Sequence, residues 1–157
     1  MFVSIRDWLV SGDEFSSPLA GMRHLGLNAV ELELKEDFSV TALDSRERVV
    51  LASDADAAAY AKHLESLGVR AVALLTARDL SVGEMASHIE WIARAVELAD
   101  MIGAPAIRID SLMSRGNELT FEERVKAFAL ALGGALERTA GSNVALGIEN
   151  HGAPGSN

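Results

Sequence analysis

The sequence predicts an α/β fold built from repeated strand–helix units, and three observations predict it. Gly26, Gly68, Gly103 and Gly141 each close a helical pattern and recur at intervals of roughly 40 residues, a length that suits parallel strands joined by helical crossovers. Each glycine is followed by a short run rich in Val, Ile or Leu, as buried parallel strands require. The helical stretches between them open on capping residues.

Taken in order, Phe2–Ile5 reads as a first strand and Ser17-Pro18 as the start of the first helix, with a capping hydroxyl before a proline at the first helical position. Ala29–Leu34 is the second strand. Lys35–Ala52 is too long for a plain loop and is expected to be an insertion with a short strand or hairpin around Arg48–Leu51. Ser53-Asp54 opens the Ala-rich second helix, which runs to Leu67. Val69–Leu75 is the third strand, and a third helix over roughly Gly83–Ile102 is expected, with Ser81 and Glu84 at capping-box spacing. Pro105–Asp110 is the fourth strand. Thr120 and Glu123 form a second capping box before a helix over roughly Phe121–Thr139, whose apolar stripe is Phe121, Val125, Phe128, Leu132 and Leu136. Val144–Glu149 is the fifth strand.

Two architectures fit this pattern, an open doubly wound sheet and a (β/α)8 barrel. No G-x-G-x-x-G turn follows a strand, which removes the best evidence for a dinucleotide-binding open sheet. A flavodoxin-like phosphate binder remains, and strand order decides between the two. A complete barrel takes about 250 residues, so residues 1–157 are expected to form one domain, a partial barrel of the TIM type truncated after about strand five.

Composition narrows the function classes. The 49% hydrophobic and 24% charged content is that of a globular chain. The formal charge of −9 disfavours a nucleic-acid partner, which needs clustered cations. With no cysteine there is neither a disulfide nor a thiolate metal site. The N-terminus carries Arg6, Asp7, Asp13 and Glu14, which breaks a signal-peptide pattern, and no apolar run approaches the roughly 20 residues of a membrane span. A cytoplasmic protein with no membrane partner is the expectation.

In parallel α/β proteins the chemistry sits at the C-terminal ends of strands. Side chains alternate along a strand. If Val30, Leu32 and Leu34 face the helices, Glu31 and Glu33 face the barrel interior. The same parity turns Arg108 and Asp110 inward, and also Glu149, with His151 following it. Buried carboxylates around one arginine must pair or bind a cation. The simpler readings are a solvent-facing edge strand for Glu31 and Glu33 and a local ion pair for Arg108 and Asp110. His24, His63 and His88 fall in helices and are expected at the surface, Trp91 and Phe128 in the core, and Trp8 either at a pocket mouth or packed in its loop.

The pattern Gly-x-x-x-Val-Glu-Leu at Gly26–Leu32 and Ala-Leu-Gly-Ile-Glu-Asn-His-Gly at Ala145–Gly152, with Ala-Asp-Met-Ile-Gly-Ala-Pro before Ile-Arg-Ile-Asp ending at Asp110, resembles the xylose-isomerase-like barrel superfamily, in its sugar phosphate isomerase/epimerase branch. The resemblance covers the chain but only the first five eighths of that fold. It implies an isomerase of carbohydrate metabolism that moves a proton beside a carbonyl through an enediolate. It makes Glu149 both the catalytic carboxylate and a ligand of a divalent metal (Mn, Mg, Co or Zn), and Arg108, Asp110, Glu31, Glu33 and His151 candidates for contacting a sugar or sugar phosphate. The family's other ligands come from later strands, so the metal site is incomplete and the chain is expected to be inactive alone. Related DNA-repair endonucleases carry histidines after strands three and four, where this chain has Thr76-Ala77-Arg78 and Asp110-Ser111-Leu112. The alternative is a non-catalytic α/β scaffold or binding module. A half-built barrel exposes strand edges, so a homodimer through those edges is expected.

Overall fold

The computed structural model describes residues 3–111 and 119–149. The order is β1 (Ile5–Arg6), a single 3-10 turn (Asp7–Val10), α1 (Pro18–His24), β2 (Ala29–Leu34), β3 (Ser39–Thr41), β4 (Arg48–Val50), α2 (Asp54–Ser66), β5 (Arg70–Thr76), α3 (Met85–Ile102), β6 (Ala106–Asp110), α4 (Phe121–Arg138) and β7 (Ala145–Glu149). The insertion after β2 is the antiparallel hairpin β3–β4.

Strands β1, β2, β5, β6 and β7 form one sheet in that spatial order, each pair parallel. Neighbours in space are therefore neighbours in sequence once the hairpin is set aside. An open doubly wound sheet reverses direction at a switch point; this sheet has none, so the flavodoxin-like alternative falls and a partial (β/α)8 barrel stands.

Local chemistry sets most boundaries. Ser17 accepts from the Ala20 amide ahead of Pro18, and Ser53 and Thr120 each form a reciprocal capping box, with Asp56 and Glu123 respectively. Gly103 ends α3 at φ 75°, a left-handed conformation that a Cβ would strain. The capping box expected at Ser81 is absent. Glu84 stands at the N-cap of α3 without a side-chain bond, because Ser81 is buried and donates to Asp79 while accepting from Arg124 of α4. A buried Arg–Asp pair claims the hydroxyl in preference to the helix end.

The core lies between the sheet's outer face and the helices. Val30, Leu32, Leu74, Ile107 and Ile109 are buried there against Met22, Leu64, Ile92 and Leu98, and Trp91 joins them. The expected stripe of α4 is corrected. Phe121, Val125 and Leu136 are about half exposed, Phe128 and Leu132 are only partly buried, and the buried positions are Arg124, Ala131 and Ala135. A Cβ on Gly134 would stand 2.4 Å from Ile89 Cδ1, so it is the small residues of α4 that let it approach α3. Helical period defines a stripe but not which side meets a neighbour. On β7, Leu146 is partly buried and Ile148 exposed.

Candidate active site at the strand ends

Register places the inward side chains. Arg6 pairs with Glu31, Glu31 with Ala73, Glu33 with Leu75, Leu75 with Arg108, Arg108 with Gly147, and Asp110 with Glu149. Paired residues share a face, so apolar Ala73 and Leu75 form the floor of a concave surface ringed by charge. Gly147 leaves space opposite Arg108, since an added Cβ would meet only the Ile107 carbonyl, at 3.8 Å.

The charges form one alternating chain. Ser4 Oγ donates to Glu31 Oε1 at 2.9 Å, and Arg6 Nε stands 3.6 Å from Glu31 Oε2. Arg6 Nη2 reaches Glu149 Oε2 at 3.2 Å. Arg108 Nη1 bonds the same Glu149 oxygen, and its Nη2 lies 3.0 Å from Asp110 Oδ1. The sequence Glu31–Arg6–Glu149–Arg108–Asp110 thus crosses four strands. Asp110 and Arg108 are largely buried, whereas Arg6, Glu31 and Glu149 keep about a third of their side chains in solvent.

Of the residues singled out in the sequence, Glu31, Arg108, Asp110 and Glu149 come together. β2 lies between β1 and β5, so Glu31 is not on an edge strand. Arg108 is more than a local partner of Asp110, because it also holds Glu149. Glu33 shares the face but pairs with Lys35 at 2.7 Å, outside the chain of charges. His151 lies outside the described residues. The residue the sequence reading lacked is Arg6. The first strand is Ile5–Arg6 rather than Phe2–Ile5 within the described residues, and alternation beside the apolar Val3 and Ile5 would have turned Ser4 and Arg6 inward.

Two further groups surround the mouth. Asp7 is fully buried, and its Oδ1 accepts from the amides of Trp8 and Glu33. Burial pushes its carboxyl up, against the opposing pull of bonds from Thr41, Trp8 and Glu33. Beyond β5, Arg78 stacks over Trp91 at 5.3 Å and donates to His88 Nδ1 at 2.9 Å. His88 is therefore buried rather than at the surface. An arginine cannot accept and a carbonyl cannot donate, so His88 is the neutral tautomer donating from Nε2 to the Val82 carbonyl. His63 stays partly exposed beside Asp44, and His24 packs on Phe15. Trp8 is exposed.

Among the described residues no group of three or more His, Cys, Asp or Glu is placed to hold a metal ion. Glu149 faces two guanidinium groups, and this set does not fit a divalent cation, which needs several oxygen or nitrogen donors. No helix among the described residues is long and apolar enough to cross a membrane.

A sequential parallel sheet whose inward side chains gather at the C-terminal ends defines a partial TIM barrel. Solved structures with a similar fold include a sugar phosphate isomerase/epimerase from Parabacteroides distasonis (13% identity, TM-score 0.68) and a D-allulose 3-epimerase from Methylomonas sp. solved with D-allulose (14%, TM-score 0.66), each matching 96% of this chain and 51% of its own. A xylose isomerase domain protein from Planctomyces limnophilus matches 93% of this chain and 51% of its own, at 13% identity and TM-score 0.51. The chain thus spans about half the length of these structures. No protein-family model and no curated protein matches it.

Proposed function

We propose that the chain carries part of the active site of a sugar or sugar phosphate isomerase/epimerase that moves a proton beside a carbonyl through an enediolate. The observation that carries this reading is the position of Glu149. It ends β7 on the concave face, at the mouth where such barrels do their chemistry, with Arg108 beside it. Glu149 is the carboxylate that moves the proton, and Arg108 and Arg6 are the donors that face substrate oxygens. The fold shared with sugar epimerases supports the substrate class. A divalent metal belongs to the proposal only if other chain segments supply its remaining ligands, and for that reason this chain alone turns over no substrate. The protein is taken as cytoplasmic, and its proposed partner, besides the sugar, is a second copy.

The test is a titration of the ¹⁵N-labelled chain with D-allulose, D-fructose and a ketose phosphate. The reading predicts shifts confined to the amides around Arg6, Arg108 and Glu149, lost in Glu149→Gln, with no deuterium entering the sugar from D₂O. Absence of shifts at tens of millimolar ketose would favour the scaffold reading, in which Glu149 only ties arginines together.

A further inference from the structure

We infer that Arg6 and Arg108 stand in for a cation at Glu149, so that the site excludes divalent metal until a guanidinium leaves. The inference rests on the reading of Glu149 as the carboxylate of the site. Arg6 lies between two carboxylates from different strands, at 3.6 Å from Glu31 Oε2 and 3.2 Å from Glu149 Oε2. Arg108 lies in the same way between Glu149 and Asp110. Both cations meet on one oxygen, Glu149 Oε2.

Within the chain of charges among the described residues, the carboxylates of Glu31, Asp110 and Glu149 face the guanidiniums of Arg6 and Arg108, one negative charge more than positive. A dication coming to Glu149 Oε2 would have to displace a guanidinium already bonded to that oxygen, and while both arginines stay their charges offset most of the attraction of the carboxylates. The planar fork also holds the Glu149 carboxylate in one orientation, a positioning role that a water-filled cleft would not provide.

Mn²⁺ binding, read from the electron paramagnetic resonance of the free ion, tests this on the whole chain. The wild type should bind no tighter than millimolar, and Arg6→Gln should tighten binding by about tenfold or more. Arg6→Lys, which keeps the charge, should stay weak. Adding Glu149→Gln to Arg6→Gln should abolish the gain. Arg108→Gln gives a second, independent removal of one charge and should show the same gain if Arg6→Gln fails to fold. Equal Mn²⁺ binding by wild type, Arg6→Gln and Arg108→Gln overturns the lock. Micromolar binding by the wild type that Glu149→Gln abolishes also overturns it, while leaving Glu149 as a metal carboxylate intact.

Discussion

Arg6 and Glu149 are 143 positions apart in sequence and sit on the first and last strands of the sheet, yet their side chains meet at 3.2 Å. In a flat five-stranded sheet those strands would stand about 19 Å apart, more than an arginine and a glutamate can span together. The contact therefore reports strong curvature. It is this curvature that turns five strand ends into one concave site.

Asp7 gives a pH prediction. Its carboxyl is raised above 3.8 chiefly by burial, so the folded chain holds a proton that the unfolded chain releases. Stability from this group is complete below pH 3.8 and declines as pH rises through the folded value. Asp7→Asn keeps an oxygen for the Trp8 and Glu33 amides and removes the titration. Urea melts across pH 4 to 7 should show the variant gaining on the wild type as pH rises. A constant difference across that range would contradict the burial of Asp7.

Gly21 in α1 is held by space rather than by backbone angle. A Cβ there would stand 2.8 Å from Phe15 Cδ2 and 2.9 Å from Val10 Cβ. Alanine normally stabilises a helix by about 1 kcal/mol relative to glycine. Here the crowding is against a rigid Cβ, so Gly21→Ala should destabilise by about 1–3 kcal/mol in chemical denaturation. A stabilised variant would mean that α1 is not packed on the 3-10 turn.

The exposed stripe of α4 gives the test of self-association. Val125 and Leu136 are 43% and 51% exposed, so Val125→Lys with Leu136→Glu should change stability by no more than about 0.5 kcal/mol. If a second copy covers this side and the neighbouring β7 edge, sedimentation will show the wild type associating and the double variant as a monomer. A wild type that is monomeric at high concentration removes the dimer from the proposal.

Much of this was legible in the sequence because glycine caps and capping boxes are local signals. The other four strands of the parallel sheet, β2, β5, β6 and β7, begin within a residue of their expected positions, and parity puts Glu31, Arg108, Asp110 and Glu149 on one face. What local signals do not carry is the neighbour. The side of α4 that meets α3 is chosen by the small size of Ala131, Gly134 and Ala135, not by its apolar stripe. Ser81 has the spacing of a cap, but Asp79 and Arg124 compete for it from another element. His88 looks like a surface helix residue until Arg78 folds back over Trp91. Arg6 escapes the sequence reading because a first strand bounded at Phe2–Ile5 stops one residue short of it, although the alternation with Val3 and Ile5 reaches it.

The arginine lock and the closing of the strand ends around Glu149 stand on the contact between Arg6 and Glu149, and a double-mutant cycle measures it most directly. Arg6→Ala, Glu149→Ala and the double variant should be compared by urea denaturation at low and high salt. With both side chains about one-third exposed, the account predicts a coupling of about 0.5–1 kcal/mol that shrinks as salt is added. Strictly additive effects, within about 0.3 kcal/mol, would mean that the first and last strands do not meet in solution and that the concave site is not formed.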